Sequence, residues 1–134
     1  VAQSGAVVTS VITEKTNGRR DFLVVDVGMN DLMRPALYSA RHTIEEVQDS
    51  NAESKNYEVV GPVCETADSF GQNHNLNAKT GEQLIIYSTG AYGSSMGSNY
   101  NSRPKPAEIL VSKDSFKVIR KAESFEDLIR LEEI

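Results

Sequence analysis

Two apolar, β-branched runs at residues 5–14 (GAVVTSVITE) and 22–27 (FLVVDV) flank the tetrapeptide Thr16-Asn17-Gly18-Arg19. Asn-Gly between such runs is a strong short-range signal for a β-hairpin, because a tight turn needs positive φ and both residues tolerate it. Four more runs have strand character: 56–63 (NYEVVGPV), 83–88 (QLIIYS), 108–111 (EILV) and 116–120 (FKVIR), the last two joined by Lys113-Asp114-Ser115. One helix is predicted at 124–131, with Ser124 as cap and Phe125, Leu128, Ile129 and Leu131 as an apolar stripe. Residues 48–55 read as a polar surface loop, and 89–106 lack regular periodicity. Short strands separated by turns, without a repeat, predict a mainly β barrel or sandwich with a few short helices and a C-terminal helix. At 134 residues this is one domain, 1–134, with enough chain to bury a core unaided.

Charge and composition exclude several roles. The formal net charge of −5, with lysines and arginines scattered, lacks the basic face a nucleic-acid binder needs to displace counterions. No apolar stretch approaches the roughly 20 residues that span a bilayer, so no membrane partner is expected. Cys64 is the only cysteine, so no internal disulfide can form; with no signal-peptide pattern, this points to the cytoplasm. The chain opens on Val1 and enters strand-like sequence within a few residues, as an excised piece of a longer protein would.

Four segments combine polar, aromatic and glycine residues beyond what a core requires. In Asp31-Leu32-Met33-Arg34-Pro35-Ala36-Leu37-Tyr38, a loop after a strand can present the Arg34 guanidinium as a planar fork for a carboxylate or phosphate, with Tyr38 adding a hydroxyl. The competing reading is a surface arginine and a packed tyrosine, which base expectation favours. In Gly61-Pro62-Val63-Cys64-Glu65-Thr66-Ala67-Asp68, a thiol beside a carboxylate can act as proton donor; a lone cysteine is more often a small buried hydrophobe. His42 and His74 are not spaced to complete a metal site with it and read as surface residues, so no metal is expected. Residues 90–104 (GAYGSSMGSNYNSRP) suit a flexible linker by glycine and serine content. They suit a binding loop by the crowding of Tyr92, Met96, Tyr100 and Arg103, and the spacing is no nucleotide motif. Asp26-Val27-Gly28-Met29-Asn30 is a glycine turn in which Asp26 reads as a structural hydrogen-bonding residue.

Taken in order, VDVGMNDLMRPALY (25–38), VVGPVCETAD (59–68) and TGAYGSSMGSNYNSRPKPAEILV (89–111) resemble the C-terminal β-domain of diaminopimelate decarboxylases, within the fold-type III pyridoxal-phosphate decarboxylases. The closing ESFEDLIRLE (123–132) resembles that family's C-terminal helix. The resemblance covers nearly the whole chain in register, apart from 48–55 and 70–79. Where the family usually has Cys-Glu-Ser-Gly-Asp, this chain has Cys64-Glu65-Thr66-Ala67-Asp68, with a Cβ at a glycine position.

The resemblance implies pyridoxal 5'-phosphate as cofactor, held by a Schiff-base lysine in a (β/α)8 barrel absent from this chain, since such a barrel needs roughly 200 residues or more. It implies decarboxylation of meso-2,6-diaminopimelate to L-lysine, with Cys64 as proton donor. Arg34 and Tyr38 would bind the substrate's distal carboxylate and Glu65 its distal ammonium group. Tyr92 would lie against cofactor and substrate. It also implies a homodimer in which the Cys-Glu pair reaches into the partner subunit's active site, so that the fragment alone is inactive. Related decarboxylases of ornithine, arginine or carboxynorspermidine are the nearest alternative, and Arg34 argues against a substrate without a distal carboxylate. A non-catalytic β-domain module is the alternative of another class, for which retention of all five residues would have no use.

Overall fold

A computed structural model describes residues 1–48 and 53–133. Strand β1 (Ala6–Asn17) turns through Gly18, at φ +64°, into β2 (Arg20–Val25), forming the hairpin that Asn17-Gly18 predicts. The first half of β1 pairs with β6 (Gln83–Tyr87) and its second half with β2, and the β1–β2 register shifts between Val11 and Thr13. One long strand is therefore shared by two parts of a single sheet. With β3 (Ile44–Glu46), β4 (Lys55–Val60) and β5 (Ser69–Leu76), the six strands run in the order β3-β6-β1-β2-β4-β5. The edge strands β3 and β5 approach each other, and the backbone N–H of Asn77 donates to Glu46 Oε1 at 2.5 Å, so the sheet is a nearly closed barrel. Closing a sheet in this way shields the backbone groups that an open edge would expose.

The core follows the two-residue period of the strands. Leu23 and Val25 of β2, Tyr57 and Val59 of β4, and Leu84 and Ile86 of β6 point inward, joined by Val11, Ile44, Phe70 and Leu76. A two-stranded ribbon of β7 (Glu108–Ser112) and β8 (Ser115–Arg120) stands apart from this sheet. Helix α1 (Arg34–Tyr38) packs against β5. Helix α2 (Phe125–Ile129) starts at a capping box: Ser124 Oγ accepts from the Asp127 N–H, and the Asp127 carboxylate accepts from the Ser124 N–H. Leu128 and Ile129 are half-buried, whereas Phe125 and Leu131 remain exposed.

Several expectations need correction. The segment expected to be a loop presenting Arg34 is in part α1, one turn with Pro35 in its first turn, closed by Ser39 at φ +52°. Five residues hold too little of a 3.6 period to be seen in sequence. Strands β3 and β5 were not foreseen. In β5, Gly71 and Asn73 take positive φ and interrupt the alternation, leaving Phe70 and Leu76 as the buried positions. The runs 22–27 and 56–63 end early as strands, at Val25 and Val60. His42 is not a surface residue: it is 6% exposed and its Nδ1–H donates to the Tyr87 carbonyl at 2.8 Å. His74 is half-buried with Nε2 against the Phe70 carbonyl, and burial pushes its pKa down. The loop expected at 48–55 lies partly outside the described residues, and its last residue, Lys55, opens β4.

Two buried polar side chains tie separate elements of the barrel together. Tyr57 is 5% exposed and donates its hydroxyl to Glu14 Oε2 at 3.0 Å, linking β4 to β1. Asp68 is 3% exposed; its Oδ1 accepts from the Met29 N–H and its Oδ2 from the Val63 N–H, each at 2.7 Å. It thereby buckles the turn after β2 to the turn after β4. Gly61 makes room for it, since a Cβ there would meet Asp68 Oδ2 at 2.3 Å.

Burial first, then the hydrogen bond to Glu14 and that residue's charge, push the Tyr57 phenol up to about 12 from an ordinary 10.0. The folded chain thus retains a proton that the unfolded chain releases in this range. The associated stability is whole below pH 10 and is lost as pH rises toward 12. Tyr57→Phe is expected to lower stability by about 1 kcal/mol at neutral pH and to flatten the alkaline part of a denaturant-midpoint-against-pH curve; an unchanged slope would refute the assignment. Asp68→Ala strands two backbone donors and should cost about 2–4 kcal/mol, and Gly61→Ala should destabilise through the same carboxylate. Urea midpoints within 0.5 kcal/mol of wild type (roughly the spread of neutral surface changes) would contradict the buckle.

Candidate functional site

Strand direction gathers the chemical segments. Both β2 and β6 run antiparallel to β1, and β4 runs parallel to β2, so β2, β4 and β6 point the same way. The chain leaves all three at one rim. Residues 26–38 follow β2, 61–68 follow β4, and 88–106 follow β6, so each segment singled out in the sequence emerges there.

After β2, the Asp26 carboxylate accepts from Thr9 Oγ1 at 2.5 Å and from the Ser10 N–H at 2.9 Å, the structural role expected of it. The next turn closes on Gly28, whose carbonyl accepts from the N–H groups of Asp31 and Leu32. Arg34 opens α1 half-buried; its Nε is buried and has no hydrogen-bond partner among the described residues. Tyr38, at the other end of the helix, is 62% exposed. The segment after β2 thus offers a guanidinium with unused donor capacity and an exposed phenol.

After β4, a tight turn forms in which the Glu65 N–H donates to the Val63 carbonyl at 2.8 Å and the Asp68 N–H to the Glu65 carbonyl at 3.1 Å. Val63 and Asp68 are buried while Cys64 and Glu65 face outward. The reading of Cys64 as a small buried hydrophobe is therefore wrong: the turn lifts the thiol off the barrel. Ala67 is exposed and is not among the residues at positive φ, so its Cβ meets no backbone obstacle. Burial pushes the Asp68 carboxyl up, opposed by its two backbone donors.

After β6, the chain is stitched down rather than left as a linker. The Thr89 and Gly90 N–H groups donate to the Gly5 and Ala2 carbonyls, and glycine at 5 and 90 is required, since a Cβ on Gly5 would meet Gly90 Cα at 2.5 Å. Tyr92 follows at φ +59°, 64% exposed. Further on, the Ser98 N–H donates to the Asn30 carbonyl at 2.9 Å. Arg103 donates through Nε to Asn30 Oδ1 at 3.0 Å and through Nη2 to the Asp26 carbonyl at 2.5 Å, with Asp31 Oδ2 3.8 Å away. Asn30 itself is fully buried, and burial pushes the Asp31 carboxyl up while the Gly28 N–H and Arg103 oppose the shift. Tyr100 reaches across to the second turn, donating its hydroxyl to Glu65 Oε1 at 2.5 Å.

Arg34, Tyr38, Cys64, Glu65 and Tyr92 thus all lie on segments that follow strands running in one direction. The direct hydrogen bonds among these segments run through Asp68, Asn30, Arg103 and the Tyr100–Glu65 pair. Arg103 and Tyr100 left a trace in sequence as residues too elaborate for a linker. Asn30 and Asp68 left none, because their value lies in bonds to backbone 68 and 39 residues away (Ser98 N–H to Asn30, Met29 N–H to Asp68). One depression on this chain is lined by Gln48, Gly81, Glu82 and Gln83, and another by Asn99 and Ser102, of the segment after β6, together with residues of and just after α2. Among the described residues no group of three or more His, Cys, Asp or Glu is placed to hold a metal ion, and no helix is long and apolar enough to cross a membrane.

The chain is 48% identical over 135 residues to a diaminopimelate decarboxylase of Helicobacter pylori, an alignment covering 99% of this chain and 33% of that protein. Among solved structures, diaminopimelate decarboxylase from Helicobacter pylori complexed with L-lysine matches with TM-score 0.91 and 47% identity over 98% of this chain and 32% of that one. The M. jannaschii diaminopimelate decarboxylase in co-complex with L-lysine matches with TM-score 0.95 and 36% identity, over 99% of this chain and 31% of that one. The chain spans about a third of the length of the relatives it matches. Residues 2–90 match the family model described as pyridoxal-dependent decarboxylase, C-terminal sheet domain. With the nearly closed sheet and the rim it builds, this places the chain in the pyridoxal-dependent decarboxylase family, as its C-terminal sheet domain.

Proposed function

We propose that this chain is one domain of a diaminopimelate decarboxylase acting in lysine biosynthesis in the cytoplasm. The carrying observation is the rim itself: a guanidinium with an unpartnered Nε, an outward thiol and an outward carboxylate emerge from strands running in one direction. A substrate with a carboxylate and an ammonium at its distal end matches this donor set, Arg34 and Tyr38 of one subunit taking the former and the partner's Glu65 the latter. The remainder of the enzyme is a (β/α)8 barrel that holds the cofactor, and a homodimer completes the active site across the subunit interface. The β7–β8 ribbon supports a covering neighbour, since Leu110, Val111, Phe116 and Ile119 are each at least 55% exposed, more apolar surface than a domain standing alone tolerates.

The residues here suit pyridoxal 5'-phosphate from one side only. The exposed Tyr92 ring, on a turn where a Cβ at Gly93 would strike the Thr89 carbonyl, can lie against a planar ring. When bound, the cofactor supplies the electron sink that lets carbon dioxide depart. The protein's part is orientation and a proton. Arg34 grips the distal carboxylate by a planar fork, Glu65 sets the distal ammonium, and Cys64 Sγ carries the proton delivered to the α-carbon. That thiol needs the outward-facing turn held by Asp68, because a buried sulfur could not reach a substrate beyond this chain.

In the full-length enzyme, Cys64→Ala is expected to preserve cofactor absorbance and to lower kcat by about 10²-fold or more; unaltered turnover would remove the thiol from the reaction. A substrate panel tests the assignment as a whole. meso-Diaminopimelate should be decarboxylated much faster than ornithine, and Arg34→Leu should erase most of that preference by raising KM for the dicarboxylate. Faster turnover of ornithine by the wild-type enzyme would overturn the proposal.

A further inference from the structure

Glu65 lies on a turn with a well-held backbone, but its side chain is exposed and has three rotatable bonds. A carboxylate in that position would ordinarily sample several directions. It does not stand alone, however: the Tyr100 hydroxyl donates to its Oε1 at 2.5 Å. We infer that Tyr100 is a positioning residue for Glu65, aiming its second oxygen, Oε2, at a cationic group of the substrate. The inference rests on the reading of Glu65 as the ligand of the distal ammonium.

Tyr100 is built to hold still. Its N–H lies 3.4 Å from Ser98 Oγ, and Ser98 is tied through its own N–H to the carbonyl of the buried Asn30. On its other side, Asn101 and Ser102 adopt φ of +58° and +54°, conformations costly for residues with a side chain and kept only where the surroundings enforce them. Arg103 then anchors the chain again on Asn30 and the Asp26 carbonyl. A phenol with two rotatable bonds, fixed at both flanks, is a stiffer guide than the glutamate it holds.

The chemistry of the guide matters as much as its stiffness. A hydroxyl adds no net charge, so it orients the carboxylate while leaving its full negative charge for an ammonium. A lysine or arginine in the same place would fix the geometry and cancel the attraction. The hydrogen bond to Glu65, and after it the Glu65 charge, push the Tyr100 phenol up, keeping the donor protonated. The Tyr100–Glu65 pair therefore serves recognition of a distal ammonium rather than the proton transfer assigned to Cys64.

The test is a double-mutant cycle in the full-length, cofactor-loaded enzyme with meso-diaminopimelate. Tyr100→Phe keeps the ring and removes only the hydroxyl. It should raise KM about three- to tenfold, the range for a partly exposed hydrogen bond to a charged group, with kcat changed less than about twofold and with melting temperature and cofactor absorbance unchanged. Glu65→Gln should raise KM further, and Tyr100→Phe added to it should change KM by less than about twofold, because the charge being aimed is gone. An unchanged KM in Tyr100→Phe beside a raised KM in Glu65→Gln overturns the inference and leaves the role of Glu65 intact. The same factor in both backgrounds also overturns it, showing that Tyr100 acts elsewhere. A Glu65→Gln enzyme with wild-type KM removes Glu65 from substrate binding, and the positioning role with it.

Discussion

A carboxylate shielded from water has to be matched by donors, and the way Asp68 meets that requirement organises this end of the barrel. Its oxygens accept from backbone N–H groups on two different turns, those of Met29 and Val63. Of the apolar side chains on these turns, Val63 is buried, whereas Met29 is half-buried and Pro62 exposed. The first is Gly28-Met29-Asn30, the second Gly61-Pro62-Val63, and both are short. One buried anion thus converts two loosely specified turns into a single rigid piece. The thiol and carboxylate of the neighbouring residues inherit that rigidity.

The same device recurs around Asn30 and Arg103. A fully buried amide accepts from a guanidinium and, through its backbone carbonyl, from Ser98, while that guanidinium also satisfies the Asp26 carbonyl. Buried polar groups stabilise less than apolar packing of the same volume, and each becomes a liability if a partner is lost. Their return here is geometric. Hydrogen bonds have direction, so a network of them can hold glycine- and serine-rich backbone at defined φ and ψ where hydrophobic contact would leave it free. The left-handed conformations of Tyr92, Asn101 and Ser102 persist in such a setting.

The apolar half of the fold was readable residue by residue. Alternation in 22–27 and 83–88, with Leu23, Val25, Leu84 and Ile86 inward, and Asn17-Gly18 at the turn follow from local stereochemistry. So does the Ser124–Asp127 cap, which is satisfied within one helical turn. Strand β5 was not readable, because Gly71 and Asn73 break its period. Helix α1 was too short to show one. His42 looked like a surface residue because nothing near it in sequence announces the Tyr87 carbonyl 45 positions away. Cys64 went the other way: composition assigned it to the interior, and the Glu65 and Asp68 turn bonds turn it outward.

By itself, the order of residues determined that this chain is a mainly β domain with a hairpin start, a capped closing helix and four segments whose polar, aromatic and glycine residues exceed what a core requires. Those features depend on neighbours a few positions apart. Which segments would meet was decided only in three dimensions. The parallel pairing of β2 with β4, and the antiparallel pairing of both β2 and β6 with β1, send three strands toward one rim. Strand direction arises from long-range pairing that no local pattern encodes, and so does the contact between Tyr100 and Glu65, 35 residues apart.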